Sequence, residues 1–204
     1  MATPRKTRKR TSPGKILATL TAVTLVGVAG VMGTFAALSD TTSNDANQFD
    51  AANIELTDND AGGFMYQETN QEPGDSVTKC IQVSYAGTLD SAVELYMSTP
   101  VDTLAPYLNL TIEAGSQSTP VFPDCTGFTA DGAALFSDTL DQFQADHGAA
   151  GTGVAYSPNG VLPWTAGDTV VYRVTVEMDA AAGSRPAGAN SSGAHNFTWQ
   201  ADTV

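Results

Sequence analysis

Positive charge nearly vanishes after residue 15. Of nine Lys and Arg, six crowd the start (Arg5, Lys6, Arg8, Lys9, Arg10, Lys15), and only Lys79, Arg173 and Arg185 follow. All 22 acids lie at Asp40 or later, so the chain from residue 37 carries 3 − 22 = −19. Such a surface repels nucleic acid and anionic membranes, and neither is an expected partner. Acidity of this kind also keeps an exported protein soluble. Histidine and cysteine are scarce as well, with two of each. A zinc-peptidase helix needs two histidines one turn apart with a glutamate between them. Here His147 is followed by Gly148-Ala149-Ala150-Gly151, and His195 stands far away in sequence. Gly-x-Ser-x-Gly is absent, as is any glycine-rich phosphate cradle. No catalytic residue, no cofactor and no enzymatic role are expected. The many carboxylates leave a paired-carboxylate glycosidase open by count alone.

Long apolar runs are also lacking, with one exception. Residues 16–38 contain no charged side chain and follow directly on the basic cluster. Basic start, apolar core and small residues make an export signal. Two outcomes compete. A peptidase cuts after Ala36, with Thr34 and Ala36 as the small residues it requires and Ala37 as the new first residue. Otherwise the segment stays as an anchor, since its length approaches a bilayer span. Thr19, Thr21, Thr24, Gly27, Gly30 and Gly33 make it less apolar than a committed membrane helix. Cleavage is the expectation, giving a signal peptide at 1–36 and a single domain at 37–204. The mature protein is then secreted, extracellular or on the cell surface, with no membrane association after processing.

In that oxidising setting Cys80 and Cys125 are expected to pair, closing a loop worth about 3–5 kcal/mol. A metal or nucleophilic role for them is the alternative, with a poor donor set to support it.

The body of the chain reads as strands. Val170, Tyr172, Val174, Val176 and Met178 alternate with Val171, Arg173, Thr175 and Glu177, the period of a half-buried strand. Val77, Ile81, Val83 and Tyr85 share another such face, interrupted by Lys79, with Cys80 pointing the other way. Phe197 and Trp199 alternate with Thr198 and Gln200. Shorter candidates lie at 49–56, 64–67, 92–97 and 108–114. Two strands have similar lead-ins, Glu72-Pro73-Gly74-Asp75 and Ala166-Gly167-Asp168, in which glycine sets the turn and aspartate bonds nearby N–H groups. One helix is expected, capped by Ser137 or Asp138, carrying Leu140 and Phe143, capped at its end by His147, and sitting over an opening of the sheets. Residues 148–153 and 180–193 read as loops. Trp164, Trp199, Tyr85 and Tyr172 are placed in the core rather than on a sugar platform. Asp58 and Asp60, before Gly62-Gly63, form an acidic turn with a weak claim to calcium, because the later glutamate of the usual loop is missing. The fold class is all-β: an antiparallel two-sheet sandwich with a short helix and long loops.

Gly33-Thr34-Phe35-Ala36-Ala37-Leu38-Ser39-Asp40 resembles the processing region of the TasA/camelysin (CalY) family. So do the following Phe49-Asp50-Ala51-Ala52-Asn53-Ile54-Glu55-Leu56, the turn Asn70-Gln71-Glu72-Pro73-Gly74-Asp75, and Asn196-Phe197-Thr198-Trp199-Gln200-Ala201. Leu38, Ala52 and Gln71 depart from the family's usual residues, and the cysteine pair is not a family hallmark. The resemblance implies a jelly-roll fold, removal of the signal by a SipW-type peptidase, and self-assembly into extracellular biofilm-matrix fibres. It also implies that a freed N-terminal strand, here Leu38, Ser39, Asp40, Thr41 and Thr42 within 37–47, completes a sheet in the next subunit. A monomeric adhesion module is the alternative function, and a camelysin-type metallopeptidase the third.

Overall fold

The computed structural model describes residues 51–158, 160 and 163–204. Thr34, Ala36 and Ala37 at the expected cut, and the expected donor residues Leu38, Ser39, Asp40, Thr41 and Thr42, lie outside the described residues.

The described residues form nine strands and one α-helix: β1 (Leu56–Asp58), β2 (Ser76–Tyr85), β3 (Ser91–Tyr96), β4 (Leu108–Gln117), β5 (Phe128–Ala130), β6 (Phe136–Thr139), α1 (Leu140–Asp146), β7 (Val154–Ala155), β8 (Thr169–Met178) and β9 (Thr198–Thr203). The first sheet has six strands in the order β1-β2-β8-β4-β5, with β6 also on the outer side of β4; the second has the order β7-β3-β9. Every pairing is antiparallel. The expected all-β, two-sheet sandwich with a short helix and long loops is therefore the observed architecture.

The centre is the β2–β8–β4 ladder. Ile81 pairs with Tyr172 and Val83 with Val170, while Ala114 faces Tyr172 from the other side. Alternation turns Ile81, Val83, Tyr85, Val170, Tyr172, Val174, Leu110 and Ile112 to one face, where all are buried. The second sheet packs on that face. Val93 and Leu95 are inaccessible, and the Trp199 ring lies 5.4 Å from that of Tyr172. Tyr85 Oη and Ser91 Oγ meet at 2.8 Å, so the buried hydroxyls satisfy each other.

The two expected turn devices occupy opposite ends of the β2–β8 ladder. Gly74 (φ 95°) and Gly167 (φ 96°) take the left-handed conformation that favours glycine. Asp75 Oδ2 accepts from Glu72 N at 2.8 Å, and Asp168 Oδ2 accepts from Thr165 N at 2.7 Å.

Residues 118–127 cross the outer face of the first sheet. There Cys125 is joined to Cys80, with Cα atoms 5.1 Å apart, as expected. Arg173, opposite Cys80 on β8, is held by Glu113 at 2.6 Å and lies 4.5 Å from the centre of the Phe128 ring.

Several local expectations need correction. Thr139, not Ser137 or Asp138, caps α1: its side chain accepts from Gln142 N at 3.2 Å. Ser137 and Asp138 are committed to the β6 ladder with Thr111 and Leu110. His147 does end α1, its N–H donating to Phe143 O at 2.8 Å. Residues 64–67 form no strand, since they have no ladder partner. Of the described part of 49–56, only Leu56 is in β1; residues 51–55 precede it.

Gly115 shows how tightly β4 and β5 approach, because a Cβ there would run into the backbone of Thr129 and Ala130. Gly115→Ala is expected to cost about 1–3 kcal/mol through overpacking, read as a lower urea midpoint with an unchanged slope.

A half-covered cleft at one corner of the sandwich

The central strands of the first sheet are ten residues long, whereas β3 and β9 have six. Among the described residues, one corner of the larger sheet therefore has no strand above it. Val77, Ile81, Val176, Met178 and Leu108 form the floor of a cleft of about 950 Å3 there. Its walls are two irregular segments, 63–71 and 190–197. Phe64, at the rim, is 73% exposed.

One contact ties the two walls. Tyr66 Oη lies 2.6 Å from His195 Nε2, and His195 Nδ1 lies 3.0 Å from Gly193 O. A carbonyl only accepts, so Nδ1 carries the proton and Nε2 accepts from the Tyr66 hydroxyl. Burial pushes the Tyr66 phenol well above its ordinary value. Burial pushes the His195 imidazole down, opposed in part by its bond to Gly193. Both groups are neutral near pH 7, so the pair is a tie between walls rather than a charged centre. Arg185 also lines the cleft, its Nη1 donating to Ala182 O at 2.8 Å. Nothing in the sequence pattern announces this pair: Tyr66 and His195 are 129 residues apart.

Of the other sequence candidates, Asp60 borders the cleft. Asp58 Oδ1 accepts from Asp60 N at 3.1 Å, and Asp60 Oδ1 from Gly62 N at 2.6 Å. Their carboxylates thus shape the turn, and partial burial raises the Asp58 carboxyl. Trp164, Tyr85 and Tyr172 are core residues, as expected. No described helix is long and apolar enough to cross a membrane.

A family model described as camelysin metallo-endopeptidase matches residues 7–105. Over that stretch the chain is similar to the camelysin family. This is the family that includes TasA and CalY, and the match takes in β1, the Pro-Gly-Asp turn, β2 and β3. No curated protein matches the chain.

A metallo-endopeptidase implies a metal, and the described residues do not fit one. No group of three or more His, Cys, Asp or Glu among them converges on a point. Both histidines are already engaged, His147 through Nδ1 with Thr152 O at 2.6 Å and His195 through both nitrogens. Both cysteines are bridged. A tetrahedral zinc set needs deprotonated donors left free to converge.

Two outcomes follow. Because His195 is depressed in the folded state, the unfolded chain binds more protons between the two pKa values. Its contribution is fully present above about pH 6.5 and is lost as pH falls toward the depressed value. Thermal midpoints should therefore drop on acidification through this window, before the carboxylates titrate, and His195→Gln should flatten that drop. Separately, Cys80→Val with Cys125→Ala should cost about 3–4 kcal/mol for a loop of this length, measured by urea unfolding against the bridged chain.

Proposed function

We propose that this chain is an exported structural subunit that joins others end to end in extracellular fibres. In this reading the leader is cut after Ala36 by a SipW-type peptidase. Residues 37–47 of one subunit then enter the half-covered corner of the next. The single observation that carries the proposal is that corner: an apolar floor of Val77, Ile81, Val176 and Met178 roofed by irregular chain instead of a strand. An added strand would supply the missing cover, since main-chain bonds provide affinity and the floor buries alternate side chains. Leu38 is the one large apolar side chain of the donor candidate, so backbone bonds would dominate. A contact of this kind is head-to-tail and does not close on itself, which yields a filament. The disulfide suits an oxidising compartment outside the cell.

The similarity to camelysin metallo-endopeptidases favours a second reading, a metal-dependent endopeptidase. Its centre would need donors beyond the described residues or from another chain.

Electron microscopy and light scattering decide between these. The chain beginning at Ala37 should form filaments, and the chain beginning at Gln48 should not. A chain from Ala37 that stays monomeric at high concentration sinks the fibre reading and favours a monomeric adhesion module. Proteolysis that copurifies with the chain and disappears with a chelator establishes the peptidase.

A further inference from the structure

The free side of β2 is closed by a device unlike the rest of the fold. In an antiparallel ladder, backbone groups alternate between the partner strand and the outer edge. Tyr85 N donates to Asp168 O at 2.9 Å, and Met178 N to Asp75 O at 2.8 Å. Odd-numbered residues of β2 therefore face β8, and Ser76, Thr78, Cys80, Gln82 and Ser84 aim their N–H and C=O groups outward. β1 pairs with only the last three residues of β2, Val83, Ser84 and Tyr85. At Gln82 a side chain takes over, with Asn59 Oδ1 accepting from Gln82 N at 2.9 Å. At Cys80 the 118–127 loop takes over, with Pro123 O accepting from Cys80 N at 3.1 Å. Cys125, two residues further, is bonded to Cys80 itself. Beyond Cys80 no strand among the described residues pairs with this edge. A recess of about 560 Å3 lies between Thr78-Lys79 and residues 123–126.

We propose that the bridged loop is a guard on the β2 edge, and that the surface it guards fits β2 of a second copy of this chain. The occupant follows from charge and geometry. Residues 76–89 contain no acid and one lysine, in a chain whose residues from 37 onward carry −19. Two such strands meet less like-charge repulsion than any acidic segment would. The edge groups of β2 also repeat at one spacing, so antiparallel β2–β2 pairing under a two-fold axis satisfies both copies at once. β2 has no proline and no bulge partway along to blunt it. A covalent tie keeps the loop in place against an incoming strand, whereas an untied loop would compete through one backbone bond to the edge and the packing of Phe122. The inference does not depend on strand donation.

The test uses the chain beginning at Gln48, from which the donor candidate is missing; residues Ala51–Val204 form a compact unit of their own. Size exclusion with light scattering and amide hydrogen exchange are the readouts. The bridged chain should be monomeric, with a fast Thr78 amide. Cys80→Val with Cys125→Ala should become dimeric as concentration rises, with Thr78 exchange slowed by about tenfold or more in the dimer. Adding Thr78→Pro, which removes an outward donor and leaves the β8 ladder intact, should restore the monomer. A folded bridge-free chain that stays monomeric overturns the proposal, as does a dimer that survives Thr78→Pro. If the bridge-free chain proves unfolded by near-ultraviolet dichroism, the measurement is repeated in trimethylamine oxide, which favours the compact state. The refolded bridge-free chain must dimerise there for the guard to stand. Absence of filaments from the chain beginning at Ala37 would sink strand donation and leave this result untouched.

Discussion

The pairing of β2 with β8 is the constraint on which everything else in the molecule is built. It brings together the most strongly alternating segments of the sequence and sets nine residue pairs in register. At each end the chain enters through a glycine turn whose aspartate reaches back to an N–H. Gly74 N donates to Met178 O, and Gly167 N to Tyr85 O. The two turns thus close the same ladder from opposite ends, related by its local two-fold symmetry. A register slip of one residue would turn Ile81, Val83, Tyr172 and Val174 to the outer face. It would also strand both turns, so pattern and turn chemistry specify the same answer.

What the sequence reveals and what it hides divides along that ladder. β2, β4, β8 and β9 are visible because several alternating side chains fix the period. β5, β6 and β7 have between two and four residues, too few for any period to show. They exist because β4 and β3 present edges to pair with. Residues 64–67 carry a strand's composition but follow a different rule. Tyr66 turns into the cleft to meet His195, and a buried phenol with a partner outweighs β propensity. The helix start moved by one residue for a similar reason. Ser137 and Asp138 have the right chemistry for a cap, but the ladder with β4 claims their backbone first. The cleft left no trace in the sequence at all, because it arises from unequal strand lengths in two sheets far apart along the chain.

The two faces of the large sheet are treated differently, and the difference has a physical origin. The inner face is dry and needs only apolar side chains. The outer face carries Thr78, Cys80, Gln82, Arg173, Thr175 and Glu113, and the loop from β4 to β5 lies across it. Arg173 there does the work of three contacts: two bonds to Glu113 and stacking on Phe128. One of the few cations in so acidic a body is thereby held near the centre of the sheet, where it offsets a carboxylate on the neighbouring strand. The disulfide finishes the same layer by tying the loop to the last unsupported stretch of β2.

The similarity to the camelysin family ends at residue 105, just before the strands that complete the large sheet. Within the match lie β1, β2 and β3; outside it lie β4, β8 and β9 and the loop that carries Cys125. β2 cannot form its buried face without β8, so the matched stretch depends on unmatched sequence for its own folding. The crossing loop and its Cys125 come from the unmatched part and act, through Cys80, on the edge of a matched strand. The ladder itself requires only an apolar alternation and a turn at each end. Once these are met, the outer edge is free to be covered, exposed or tied down, and that choice governs which other chains can pair with it.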